Sequence, residues 1–197
     1  MARRARLSRR DLKALAAADA LSSLVGHRRR AAWAVAGVEA PLPLLAASPV
    51  ERSPSLLLPS EAEEVLADYA QLGLSLRRHP LALLRAELGR QRFIPAEEVA
   101  RRPAGQMVRV AGLVLVRQRP GKGNAVFITL EDESGQLNLV VWRALAERQR
   151  RVLLQASLLG AWAEVQRAEG VQHLIARRLY DCSHLLGELE VASRDFH

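Results

Sequence analysis

The stretch Arg117-Gln118-Arg119-Pro120-Gly121-Lys122-Gly123 sets three cations around one proline and two glycines. Such cations can neutralise phosphates, and glycine lets the backbone come close to them. Arg109 and Arg167 stand next to this group as further phosphate contacts. Phe127 and Trp142 are the candidate stacking rings, since a nucleobase laid on such a ring is held by about 1 to 3 kcal/mol. Trp162 is expected in the core instead. Arg28, Arg29 and Arg30 form a second basic group at the start of a helix, where they could reach phosphates. The chemistry these residues suit is the holding of a polyanion.

Bond-making chemistry has no comparable signal. No Gly-rich loop ending in Lys-Ser/Thr is present, and Glu131-Asp132-Glu133 runs straight into Ser134-Gly135, the pattern of an acidic hairpin turn rather than of a two-metal centre. Cys182 and His184 have no further partners in ligand spacing, so neither a metal nor another cofactor is expected. Two Gln-Leu strings, at Gln71 and Gln136, resemble clamp-binding peptides; the second lies in a predicted strand, and both read as chance.

The chain of 197 residues has 29 Lys+Arg against 21 Asp+Glu, a net charge of +8 and an apolar fraction of 49%. It is too apolar for a disordered chain and is long enough for one large or two small cores. Lys13 and Lys122 are the only lysines, and an arginine bias of this kind also follows from a GC-rich genome. The single cysteine precludes an internal disulfide, and neither a signal-peptide run nor a membrane-length apolar run is seen, so a reducing, cytoplasmic setting is expected.

These residues need elements to position them. Ser8 with Asp11, and Ser60 with Glu63, make capping boxes. The first opens a helix carrying Leu12, Leu15 and Ala16, and a second helix runs from His27 to Gly37, so residues 1–40 read as a helical hairpin. Residues 41–59 hold five prolines and read as a linker. Residues 60–104 read as a helical connector, with Pro80 and Pro95 in first-turn positions and Gly73 and Gly89 as stops. Beyond Gly105 the period changes to strands over 107–118, 124–132, 135–141, 157–168 and 171–179, with one helix over 143–154 between the third and fourth. Five strands with that insertion are the order of an oligonucleotide/oligosaccharide-binding (OB) barrel, over 105–185, with Gly112 at the bend of the long first strand. A tail, 186–197, follows. The fold class is α+β.

The runs GLSLRRHPLALLR from Gly73, VRVAGLVLVRQRPGKG from Val108, FITLEDESGQLNLVVW from Phe127, ERQRRVLLQASLL from Glu147 and HLIARRL from His173, with the ending SRDFH, closely resemble the C-terminal part of bacterial error-prone DNA polymerases, alpha-subunit-like enzymes of the C family. The resemblance implies that the N-terminal helices are the end of a degenerate helix-hairpin-helix region. Leu15, Ala18, Asp19 and Ala20 match it, whereas its usual glycines are absent. It also implies that the metal-binding aspartates lie far upstream, so that the chain is a fragment or a split product. The Pro-rich stretch has no Gln to begin the sliding-clamp motif of related replicative enzymes.

The expected function is a non-catalytic DNA-binding segment that holds template single strand or primer-template. The alternatives are a module docking accessory mutagenesis proteins, or a fragment inert by itself.

Overall fold

A computed structural model of the chain describes residues 5, 7–38, 54–121, 123–168 and 170–187. Lys122, much of the Pro-rich stretch, the Glu169 turn position and the SRDFH ending lie outside the described residues. The chain divides between Arg77 and Arg78 into two compact units. That division falls inside the stretch read as one connector.

The first unit is helical. Ser8 accepts from the Asp11 amide and Asp11 from the Ser8 amide, which opens α1 (Arg9–Ala17) as the capping box requires. Asp19 turns the chain with φ 56°, a conformation open to short polar residues. The sequence pattern does not foretell the short α2 (Ser22–Val25) that follows, ended by Gly26 at φ 102°. His27 caps α3 (Arg28–Ala36). Leu12, Ala16, Leu21, Ala31 and Val35 close a small core between these helices. The second capping box opens α4 (Glu61–Leu72), and Gly73, left-handed at φ 72°, stops it as expected.

In the second unit His79 and Pro80 open α5 (Pro80–Arg90), the His79 Nδ1 accepting from the Leu81 amide at 3.1 Å. Gly89 lies inside this helix rather than ending it, and Arg92, at φ 63°, makes the turn instead. Pro95, as the N-cap, opens α6 (Ala96–Ala100). Then come β1 (Met107–Gln118), β2 (Ala125–Asp132), β3 (Gly135–Trp142), α7 (Arg143–Arg148), α8 (Arg150–Gln155), β4 (Leu158–Ala168) and β5 (Val171–Asp181).

The five strands close a barrel in the order β1-β2-β3-β5-β4, antiparallel except where β3 meets β5. β1 pairs with β4 up to Leu113 and with β2 from there on, so it must bend between its two partners. Gly112 sits at that bend, where a Cβ would come within 2.8 Å of the Leu130 Cβ and 3.0 Å of the Glu131 backbone. Val110, Ile128, Leu130, Leu139, Leu159 and Leu174 fill the interior together with Leu145 and Leu153 of the helical insertion.

The helix expected over 143–154 breaks in two at Gln149. Its side chain donates to the Leu179 carbonyl and accepts from the Leu179 amide, both at 2.9 Å, satisfying strand groups and leaving the helical path at φ −113°. The acidic triplet is a turn: Asp132 accepts from the Ser134 and Gly135 amides at 2.8 and 3.0 Å, while its other oxygen takes the Ala96 amide at 2.8 Å. Arg85 holds Glu133 with a 2.7 Å bond. No group of three or more His, Cys, Asp or Glu suited to a metal occurs among the described residues. No described helix is long and apolar enough to cross a membrane.

Candidate nucleic-acid interface

β1 contains a bulge between Val114 and Val116. One extra residue reverses the alternation beyond it. Val114 opposes Leu130, but past the bulge Arg117 opposes inward-facing Ile128 and Gln118 opposes Phe127. Arg117 therefore turns under the sheet. Its Nε donates to the Leu153 carbonyl at 2.7 Å and its Nη2 to the Ala156 carbonyl, satisfying the open end of α8. Burial lowers its pKa from the ordinary guanidinium value. The structure thus gives Arg117 protein partners where the sequence suggested phosphate.

Directly opposed residues of an antiparallel pair share a face. Ala125 opposes Trp142 and Phe127 opposes Val140, while Ile128 and Leu130 point into the core. Phe127 and Trp142 consequently project from the outer face of β2 and β3, 42% and 51% exposed. Ala125, Val140 and Ile175 bury one another on the same outer face and give the rings an apolar floor. The Arg143 amide donates to the Asn124 carbonyl at 2.7 Å, tying the start of α7 to the start of β2.

Beside the rings lies a cleft of about 230 Å³ between the β1–β2 loop and the α7–α8 pair. Its lining holds four arginines, Arg117, Arg119, Arg143 and Arg150, against one carboxylate, Glu147. Arg143 binds Glu147 at 2.7 Å, which holds the Glu147 carboxyl below its usual range and raises the Arg143 pKa. Arg119 is exposed and, among the described residues, makes only a long bond, 3.4 Å, to the Gly123 carbonyl. Arg119 and Arg150 are thus the open charges of the cleft. Arg143 and Arg150 are site residues that the sequence pattern does not single out, because Gln149 breaks the helix between them.

The other suggested residues have different surroundings. The Arg109 guanidinium is stacked 5.0 Å from the Phe93 ring centre and 5.1 Å from that of Tyr180. Arg167 donates to the Ala100 and Arg102 carbonyls at 2.9 and 3.3 Å, closing the end of α6. In the helical unit Arg28 pairs with Glu64 and Asp68, and Arg29 pairs with Glu63 at 2.6 Å. Arg30 is exposed and has no ion pair among the described residues. Trp162, expected in the core, is 43% exposed on β4 because the inward positions there belong to Ala161 and Ala163.

A family model described as "OB-fold nucleic acid binding domain" matches residues 108–181, the span of the barrel. The whole chain is 57% identical over 199 residues to a protein of Azoarcus sp. and 54% identical over 202 residues to one of Alkalilimnicola ehrlichii, both named error-prone DNA polymerase. It matches their C-terminal part. Over its whole length the chain is similar to the C-terminal segment of bacterial error-prone DNA polymerases. It spans 19% of the length of each of these two relatives. A solved structure, asparaginyl-tRNA synthetase from Pyrococcus horikoshii, matches 46% of this chain over 23% of its own at 22% identity and a TM-score of 0.38.

Proposed function

We propose that this chain is the non-catalytic DNA-binding segment of an error-prone DNA polymerase, and that its barrel holds the template single strand. The observation that carries this reading is the pair of exposed rings, Phe127 and Trp142, beside a cleft lined by four arginines and one carboxylate. A single strand offers free base faces for the rings and phosphates for Arg119 and Arg150. The segment needs no cofactor or metal for this task, works in the cytoplasm, and leaves nucleotidyl transfer in damage-induced translesion synthesis to other parts of the polymerase. The helices of the first unit take the place of the family's helix-hairpin-helix region, where Arg30 is one of the exposed cations open to primer-template duplex.

Fluorescence anisotropy of a labelled single-stranded oligonucleotide, beside a matched duplex and at two salt concentrations, tests the reading. The expected result is salt-sensitive, micromolar or tighter binding that favours the single strand. Absence of binding at low salt overturns it. Tight binding that persists at high salt to an accessory mutagenesis protein would then support the docking alternative.

A further inference from the structure

A second set of rings and arginines stands on another face of the barrel. Trp162 projects outward from β4, opposite Arg109 of β1 on one side and Arg178 of β5 on the other. It borders an open cleft of about 630 Å³ lined with Arg148, Gln149, Arg177, Arg178 and Tyr180. Arg177 is held by Glu164 at 2.6 Å. Arg148 and Arg178 make no ion pair among the described residues, and Arg178 lies 5.3 Å from the Tyr180 ring centre. An exposed indole between uncompensated guanidiniums fits a ligand that has both a planar aromatic face and a negative backbone.

We infer that this face is a second single-strand contact, a base-stacking site on Trp162 with Arg148 and Arg178 as phosphate partners. The inference rests on the single-strand reading above and extends the path of the strand. Arg150 lines the first cleft and Arg148 the second, with only Gln149 between them. Consecutive residues are about 3.8 Å apart, so the two clefts adjoin across one short piece of backbone. Gln149 is fixed there by its two bonds to Leu179. A strand leaving the Phe127–Trp142 face past Arg150 meets Arg148 next and then Trp162. Duplex DNA has no unstacked base to lay on Trp162, so the site selects single strands.

The test titrates the whole chain with oligothymidylates of about 6 and about 20 nucleotides, the first within and the second beyond the roughly 4 to 16 nucleotides that one barrel of this kind covers. For Trp162→Ala the affinity for the long oligonucleotide should fall about tenfold while that for the short one is unchanged. Trp162→Phe should restore most of the loss, and Arg148→Glu, an exposed change that leaves the barrel interior untouched, should weaken the long oligonucleotide selectively. Unchanged binding of the long oligonucleotide in both Trp162→Ala and Arg148→Glu overturns the second site and leaves this face to a protein partner. Equal losses on both lengths overturn the continuous path. If the unaltered chain binds neither length, it is the single-strand reading itself that fails.

Discussion

In the helical unit Arg28 lies against Glu64 and Asp68, Arg29 against Glu63, and Arg77 against Asp19 and Glu64. In the barrel Arg119, Arg148 and Arg150 make no ion pair among the described residues. Both regions are basic in sequence, and both concentrate arginine. What separates them is the supply of carboxylates: α4 alone brings Glu61, Glu63, Glu64 and Asp68, whereas the barrel's cleft has Glu147. A count of cations along a chain therefore overstates the charge left for a polyanion wherever a neighbouring helix is acidic. Arginine that meets buried carboxylates specifies packing, and arginine that meets water attracts phosphate.

Removing Arg28 should have the largest effect. Its side chain and those of Glu64 and Asp68 are nearly buried. Burial raises the Glu64 pKa, and Arg28 is its main counterweight. Burial acts upward on Asp68 too, but bonds from Ser75 and Arg28 bring it below its ordinary value. Arg28→Ala leaves these carboxylates uncompensated and should cost about 3 to 5 kcal/mol in urea unfolding. An unchanged denaturation midpoint would erase the contrast between the two regions.

Arg117 is a barrel residue that, like the arginines of the helical unit, is held by protein partners. Arg117→Met keeps the aliphatic stem but strands the Leu153 and Ala156 carbonyls. We expect a loss of about 1 to 3 kcal/mol in stability with no change in the salt dependence of DNA binding. A flatter salt slope would return Arg117 to the phosphate contacts.

Arg119→Ala sharpens the contrast from the other side. The slope of log affinity against log salt for a single strand should fall by about 0.7, while the melting temperature stays the same. Loss of stability without a slope change would show that Arg119, too, is structural.

The smallest expected effect concerns pH. Burial lowers the His79 pKa from its ordinary value of 6.5, against the opposing pull of Glu131, Glu133 and Asp132. The folded protein thus binds its proton less readily than the unfolded chain does. Its contribution is complete above about pH 6.5 and is lost as pH falls below that value. The neutral Nδ1 that caps α5 is the group at stake. Melting temperatures between pH 7.5 and 5.5 should decline more in the natural chain than in His79→Asn, which keeps a capping acceptor without titrating. Parallel curves would remove His79 from the balance.

Much of the architecture was legible because it follows from local rules. The two capping boxes and the left-handed Gly73 are set by neighbours in the chain, and five period-two runs with a helical insertion sufficed to name the barrel. The outward direction of Phe127 follows from strand alternation once Ile128 and Leu130 are assigned inward. The placement of Arg117 was not legible, since a single bulge residue reverses which face it occupies. The break at Gln149 was hidden for a similar reason, because its partner, Leu179, is remote in the chain.

Sequence by itself determined most of the elements, the barrel's order and the excess of arginine, because capping, alternation and turn chemistry act over a few residues. Only the tertiary structure decided which arginines remain available. The distances from Arg28 to Asp68, from Arg117 to Ala156 and from Arg167 to Ala100 are set by how elements pack, and a guanidinium satisfied by a carboxylate or a helix-end carbonyl has its donors already engaged when DNA arrives. The same packing put Trp162 outside, where small alanines on either side of it took the interior positions.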